Sequence, residues 1–315
     1  MKKYRILVSD AVDQEGLQNL MKIDEFDVVD GSKWDREKLL QEIKGFHGLV
    51  VRSSTQVDQA LLEQASAMRV VCRAGTGVDN IDVTYAKQKN IVVMNTPGTN
   101  AQAAAELTLG LMLTMVRDIP NAISSLKNGQ WDRKKWVGSE LHQKTLGIIG
   151  LGNIGQRVGM MAHAFGMKVV CFDPYQKQTH ATPFSMEMVD VDVLWMRSDF
   201  ITLHATLTDQ TRNLICEKTI QKMKKGVYII NCARAELLNT KDVLQGLESG
   251  QVAGLALDVL DQEPPPENHP FLHHPHVWVT PHIGASTKEA QSNVMGQTLF
   301  QLQSFFLSNN VLHAL

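Results

Sequence analysis

The stretch GIIGLGNIGQRVGMMAHAFGMKVVCFDP, residues 147–174, constrains the fold more than any other part of the chain. Gly150, Gly152 and Gly155 form a G-x-G-x-x-G pattern directly after a β-rich run and at the opening of a helical one. The first glycine permits a tight turn, the second lets backbone approach a pyrophosphate, and the third lets the helix pack close to its strand. The helix-terminal amides then face the negative charge. A second β-rich run, VVCFD, follows the helix and ends in Asp173, eighteen residues past Gly155. A carboxylate there accepts hydrogen bonds from ribose hydroxyls and repels a 2′-phosphate, so the pattern predicts NAD rather than NADP. Glycines also mark ordinary turns, and the pattern alone is weak. Strand, helix, strand and acid together carry the reading.

The rest of the chain repeats this alternation, which argues for an α/β protein with parallel sheets. A first set of β-rich runs is YRILVS (4–9), FDVVD (26–30), GLVVRS (48–53), RVVCRA (69–74) and IVVMN (91–95). A second set is TLGIIG (145–150), KVVCFD (168–173), FITLHA (200–205), GVYIINC (226–232), VAGLALDV (252–259) and HVWVT (276–280). Between the sets, residues 99–119 read as one long alanine-rich helix, capped by Thr99 or Asn100 and apolar nearly all round. Such a helix is buried, either inside one domain or against a second copy of the chain. A last helix, 285–307, comes too late for the second sheet and is expected to return to the first domain.

Composition narrows the partners. With 315 residues the chain is long enough for two domains. Lys+Arg 31 against Asp+Glu 33 leaves a formal net charge of −2, which gives no reason to expect nucleic acid or an anionic membrane as a partner. The apolar runs are far shorter than the ~20 residues of a membrane span. The opening MKKYRILVSD reads as a first strand rather than a signal peptide. Cys72, Cys171, Cys216 and Cys232 have no paired spacing, and three lie in or beside β-rich runs as small hydrophobes, which suits a reducing cytoplasm.

In open parallel sheets, ligands bind beyond the carboxyl ends of the strands. Arg234 follows VYIINC, Asp258 ends GLALD, Glu263 comes a few residues later, and His282 lies two residues past VWVT. In the first half, Arg52 and Ser53 follow GLVV, and RAGTG (73–77) follows RVVC. A cleft between two such edges would collect all of them. Oxidising a secondary alcohol with NAD needs a base, a cation for the carboxylate and developing carbonyl, and a group that tunes the base. His282 suits the first because imidazole titrates near neutrality. Arg234 suits the second through its rigid fork of donors. Glu263 suits the third, since a nearby carboxylate favours the protonated ring. Each residue taken alone reads as a surface charge, a solvated acid or a core histidine. Three at successive strand ends do not.

These residues and the glycine pattern resemble the D-isomer-specific 2-hydroxyacid dehydrogenase family. The likeness runs through VRSST (51–55), CRAGTGVDNID (72–82), VMNTPGTNAQAAAELTLGLML (93–113), WDRKKW (131–136), TLGIIGLGNIG (145–155), INCAR (230–234), ALDVLDQEPP (256–265) and TPHIGASTKEAQ (280–291). RAGTGVDN and GASTKEAQ tilt it toward the branch acting on phosphoglycerate. The resemblance implies two doubly wound parallel-sheet domains. A Rossmann NAD-binding domain, 98–285, would be inserted into a flavodoxin-like substrate domain, 1–97 and 286–315. It implies NAD-dependent oxidation of 3-phosphoglycerate to 3-phosphohydroxypyruvate, the first step of serine biosynthesis, by a cytoplasmic homodimer. It also implies Arg234, Glu263 and His282 as the catalytic trio. Cofactor contacts would fall on Asn153 and Ile154 at the pyrophosphate and Asp173 at the ribose. Cys232, Ala233, Arg234, Asp258, His282, Gly284 and Ala285 would surround the nicotinamide, with Thr76 and Ala205 further contacts. Ser53 and Gly75 would hold the substrate carboxylate by their amides; Arg52, Arg73 and Arg133 are candidates for its phosphate, Arg133 lying in a segment that crosses to the partner subunit. Two alternatives stand beside this: a reductase of glyoxylate, hydroxypyruvate or another 2-keto acid, and an NAD(H)-sensing binding protein of the corepressor kind.

The chain departs from the family pattern at Ala235-Glu236, where a small pair is usual, at Thr206 in place of proline, and at Gln143 in place of glycine. No regulatory domain follows residue 315, so feedback through one is not expected. His269, His273, His274 and His276 sit on a proline-rich loop ahead of the last strand; they are expected to be solvated, with no metal site.

Overall fold

Runs such as GLVV, VVCR and FITL have no polar alternation, and strands of that kind are covered on both faces, as in parallel sheets. The computed structural model describes residues 3–176 and 186–315 and bears this out. The chain divides into two units, Met1–Asn100 with Ala285–Leu315, and Ala101–Gly284.

In the first unit the strands are β1 (Tyr4–Val8), β2 (Phe26–Asp30), β3 (Gly48–Val51), β4 (Val70–Arg73) and β5 (Val92–Asn95). They form a parallel sheet in the order β2-β1-β3-β4-β5. Helices α1 (Gln14–Met21), α2 (Arg36–Glu42), α3 (Gln59–Gln64) and α4 (Val83–Gln88) each begin at an aspartate: Asp13, Asp35, Asp58 and Asp82. Each of these side chains accepts a hydrogen bond from an amide in its helix's first turn, the usual N-cap arrangement.

The second unit contains helices α5 (Ala101–Arg117) and α6 (Ile119–Lys127) and strand β6 (Thr145–Ile149). Next come α7 (Asn153–Ala164), β7 (Lys168–Phe172), β8 (Glu187–Met188), α8 (Val191–Arg197), β9 (Phe200–Leu203) and α9 (Glu217–Ile220). It ends with β10 (Val227–Asn231), α10 (Thr240–Glu248), β11 (Val252–Leu257) and β12 (Val277–Val279). The parallel sheet has the order β12-β11-β10-β9-β6-β7-β8, reversing direction between β6 and β9. One core lies between the sheet and α5 and α7; the other lies on the opposite face. The remaining helix, α11 (Lys288–Ser308), is capped by Thr287 and packs on α1 and β4 of the first unit.

Two elements differ from the sequence reading. The alanine-rich helix is found as α5, within two residues of 99–119 at each end, but Asp118 adopts φ +46° after it and the chain starts again as α6, which the sequence reading did not include. Along α5 Gln102, Glu106 and Gly110 form an exposed stripe and Arg117 is exposed at its end, while its alanines are covered within the chain. Gln143, which stands where glycine was expected, takes φ +61°, a left-handed conformation that explains that expectation. Among the described residues no helix is long and apolar enough to cross a membrane.

Candidate active site

The turn after β6 shows why each glycine is there. Gly150 has φ +90°, and a Cβ on it would lie 2.6 Å from the carbonyl carbon of His204 and 2.7 Å from the nitrogen of Ala205. A Cβ on Gly155 would lie 2.1 Å from the carbonyl oxygen of Gly150. Both are forced by close packing at the reversal point between β6 and β9. Gly152 is different: its φ is −73°, and a Cβ there would meet nothing within 4 Å. Neither strain nor crowding in the protein itself requires that glycine. It leaves open space at the start of α7, whose N-terminus has no side-chain cap. Asn153 and Ile154 form the first turn beside that space. Asp173 accepts hydrogen bonds from the amides of Leu151 (2.8 Å) and Tyr175 (2.8 Å), which anchors its carboxylate beside the glycine turn. Uncapped amides, open space and an anchored acid suit a pyrophosphate and its adjoining ribose. The residues present fit NAD.

His204 closes β9 at the same junction. Its Nε2 lies 2.9 Å from Thr202 Oγ1, while Nδ1 is buried without a partner. The residue keeps some surface, but the ring nitrogens sit inside, and burial pushes the imidazole down to about 3. The Cys232 thiol, after β10, is pushed up to about 12 by burial, which outweighs a hydrogen bond with Thr108.

Farther along the same carboxyl edge, His282 Nδ1 lies 2.7 Å from Glu263 Oε2. Glu263 Oε1 accepts from the amide of Leu260 at 3.0 Å, so the carboxylate is held while it holds the ring. His282 has φ +53°, an uncommon conformation for a residue with a side chain. Asp258, 1% exposed, accepts from Thr280 Oγ1 (2.6 Å) and from the amides of Ile283 (2.8 Å) and Gly284 (2.7 Å). Asn231 shapes the turn carrying Arg234: its Nδ2 donates to Arg234 O (2.7 Å) and its Oδ1 accepts from the Ala233 amide (3.0 Å). Arg234 is half-buried and donates through Nη1 to Ala233 O at 2.7 Å.

In the first unit, Arg52, Arg73 and Gly75 line a small depression of about 30 Å3 with Asn100, Ala285 and Gln291. The Arg73 guanidinium lies over Gly75, where a Cβ would sit 1.4 Å from Nη1. Asp10, 4% exposed, accepts from the amides of Arg52 (2.6 Å), Ser54 (3.2 Å) and Thr55 (3.2 Å), while Asn80 Nδ2 donates to Arg52 O and Thr55 O. The Ser53 amide is passed over and stays open, whereas the Gly75 amide donates to Arg73 O at 2.8 Å. Of the two amides expected to hold a carboxylate, Ser53's stands ready and Gly75's is occupied. The Thr76 hydroxyl lies 3.0 Å from Asn100 Oδ1.

Residues 109–284 match the family described as D-isomer specific 2-hydroxyacid dehydrogenase, NAD binding domain. The chain belongs to this family. Its cofactor is accordingly NAD. A D-3-phosphoglycerate dehydrogenase of Methanocaldococcus jannaschii is 46% identical over 288 residues, covering 91% of this chain and 54% of that protein. The chain thus spans about half the length of that relative. A hydroxypyruvate reductase of Thermotoga maritima is 44% identical over 296 residues, covering 93% of this chain and 95% of the other. Among solved structures of the family, the D-lactate dehydrogenase of Aquifex aeolicus complexed with NAD and lactic acid superposes with a TM-score of 0.84, at 28% identity, over 97% of this chain and 96% of the other.

Other expected residues fall less centrally. Arg133 opens a short 3-10 turn and is exposed. The loop histidines are not uniformly solvated: His269 is 5% exposed, its Nε2 bonded to Asp261 (2.9 Å) and its Nδ1 accepting from the Phe271 amide (3.3 Å). It is a local cap, and Phe271 beside it joins the core. His273 and His276 are exposed. Among the described residues, no three His, Cys, Asp or Glu side chains cluster to hold a metal. Asp10, Asn80 and Asn231 were missed. The only signals in the sequence were a polar residue at a strand end and an asparagine inside a quoted motif.

Proposed function

We propose that the chain is an NAD-dependent dehydrogenase of D-2-hydroxy acids whose substrate is 3-phosphoglycerate, oxidised to 3-phosphohydroxypyruvate. The observation that carries the chemistry is the 2.7 Å pairing of His282 Nδ1 with Glu263. That bond places the Nδ1 proton toward the carboxylate and leaves Nε2 as the base for the substrate's hydroxyl proton. Glu263 stabilises the imidazolium that results. Arg234 binds the substrate carboxylate and polarises the carbon–oxygen bond as it gains carbonyl character. NAD, when bound, supplies the two-electron acceptor. In the first unit, the open Ser53 amide suits a carboxylate, and the guanidinium groups of Arg52 and Arg73 suit a phosphate.

A second reading has its own support. The Thermotoga hydroxypyruvate reductase is 44% identical to this chain, nearly as similar as the phosphoglycerate enzyme of M. jannaschii at 46%. Turnover of NAD with 3-phosphoglycerate, against NADH with glyoxylate, hydroxypyruvate and other 2-keto acids, separates the two. Preference for the phosphorylated substrate, lost in Arg52→Ala and Arg73→Ala, supports the first. Stronger turnover of unphosphorylated keto acids overturns it.

The same reading makes the chain a homodimer. Ile123, Leu126, Trp131 and Val137 are all more than half exposed along α6 and the segment after it, the segment that also carries Arg133. Large apolar side chains left exposed so close together in sequence suit a protein contact. Light scattering that returned a monomer at micromolar concentration would remove the dimer from the proposal.

A further inference from the structure

We infer that Asp10 and Asn80 are positioning residues for the substrate's carboxylate: together they fold the loop after β3 so that the Ser53 amide is left for the ligand. The inference rests on the proposed reading of Ser53 as a carboxylate contact and goes one step behind it, to the groups that keep that amide open. In the sheet order β2-β1-β3-β4-β5 the winding reverses between β1 and β3, the place where such sheets receive ligands. Asp10 follows β1 and residues 52–55 follow β3, and the two segments are bonded to each other at that point.

Of the four amides from Arg52 to Thr55, the Asp10 carboxylate takes three. Its Oδ2 accepts from Arg52, Ser54 and Thr55 at 2.6, 3.2 and 3.2 Å, and its Oδ1 accepts from the Thr55 hydroxyl at 2.6 Å. A carboxylate only 4% exposed is costly to bury, and four donors offset that cost. They do so only while the loop curls around it. The curl skips Ser53, an exposed residue whose amide has no partner among the described residues. Asn80 holds the same curl by its carbonyls. Its Nδ2 donates to Arg52 O at 2.8 Å and to Thr55 O at 2.7 Å, and its own carbonyl accepts from the Val57 amide at 2.8 Å. Both ends of the turn are thus tied twice, with Ser53 between them. Asn80 lies in the segment after β4 and Gly75, so it also joins the two loops that supply Arg52, Arg73 and Gly75 to the small depression. The grip on Arg52 sets where its side chain leaves the backbone, with Nη1 3.5 Å from Ala11 O. An open amide next to a guanidinium is a seat for an anion, and a carboxylate there accepts charge-assisted hydrogen bonds.

The test uses Asp10→Asn and Asn80→Ala in the full chain. Asp35→Ala, which removes the cap of α2 and none of these bonds, is the control for lost stability. Asparagine at position 10 keeps the size of the side chain but brings an NH2 group toward donors, so at least one amide loses its acceptor. With the preferred hydroxy acid, Asp10→Asn is expected to raise KM about tenfold to a hundredfold, the effect of losing a hydrogen bond to a charged group. Its kcat, and its Kd for NADH read by nicotinamide fluorescence, should each change less than about threefold. That split marks lost binding rather than lost chemistry. Asn80→Ala should show the same split at about tenfold, which covers the case that Asp10→Asn fails to fold. Asp35→Ala should leave KM unchanged. A KM unmoved in both loop variants, or raised as much in Asp35→Ala, overturns the proposal. A second readout needs no turnover. In wild type the amides of Arg52, Ser54 and Thr55 should exchange with solvent at least about a hundredfold more slowly than that of Ser53, and Asp10→Asn should erase most of the difference. Equal exchange of all four in wild type also overturns the proposal. An inactive wild type therefore sinks the proposed function and leaves the grip of Asp10 on the loop to be judged by exchange.

Discussion

Two strand-to-helix turns, one in each sheet, occupy the same place in their βαβ units and end differently. After β1 the chain runs SDAVD into α1, and Asp13 caps the helix by accepting from the Gly16 amide at 2.8 Å. After β6 it runs GLG into α7, and no side chain caps the first turn. The same contrast holds across the first unit, where α2, α3 and α4 are likewise capped by aspartates. A carboxylate at a helix start satisfies the amides that an anionic ligand would otherwise use. A missing cap does not by itself single out α7, since α6 and α8 also lack a side-chain cap; α7 differs in following the glycine turn, where Gly152 leaves open space that the proposed function gives to the nucleotide. Gly152, unlike Gly150 and Gly155, has no internal reason to be glycine.

The contrast can be broken by giving the open helix a cap. Gly152→Asp should leave the fold intact and weaken NAD binding at least about a hundredfold, measured by calorimetry, because a carboxylate then sits where the pyrophosphate should. Gly150→Ala is of another kind. The residue's φ of +90° and the close backbone of His204 predict a loss of about 2 kcal/mol or more in urea unfolding, whether or not NAD is present.

The junction between β6 and β9 also buries a neutral imidazole, which the first unit does not do at its corresponding place among the described residues. For His204 the folded value is lowered from 6.5 to about 3, so the unfolded chain binds the extra proton between those values. Its contribution to stability is complete above 6.5 and is lost as pH falls toward about 3, with a slope of at most about 1.4 kcal/mol per pH unit. Stability of His204→Gln, followed by denaturant unfolding across that range, should fall less steeply than wild type. The smallest effect belongs to the capped helix. Asp13→Ala should cost about 1 kcal/mol of stability and leave NAD affinity unchanged.

Legibility followed the range of the interactions involved. Strand runs such as YRILVS and KVVCFD lie within a residue or two of β1 and β7, because apolar β-branched stretches between turns are a local signal. The glycine turn and the strand-end positions of Arg234 and His282 were readable for the same reason. The division into α5 and α6 was not, since it depends on Asp118 adopting a left-handed conformation in an otherwise helical pattern. Nor was β8, two residues long. His269 looked like its neighbours in a polar loop, and its packing beside Phe271 and its bond to Asp261 distinguish it. Asp10 and Asp258 act on amides more than twenty residues away, and no spacing in the sequence announces such pairings. The pairing of His282 with Glu263 spans nineteen residues, and only the reasoning about strand ends put them on one edge.

The central claim is that the open start of α7 receives the pyrophosphate of NAD. Thermal unfolding of wild type and Gly152→Ala, each with and without NAD at about a hundred times the wild-type Kd, tests it most directly. The two proteins should unfold alike without cofactor, because the added methyl meets no atom within 4 Å. With NAD, wild type should gain about 2.7 kcal/mol and the variant much less. Equal stabilisation of both by NAD would contradict the account.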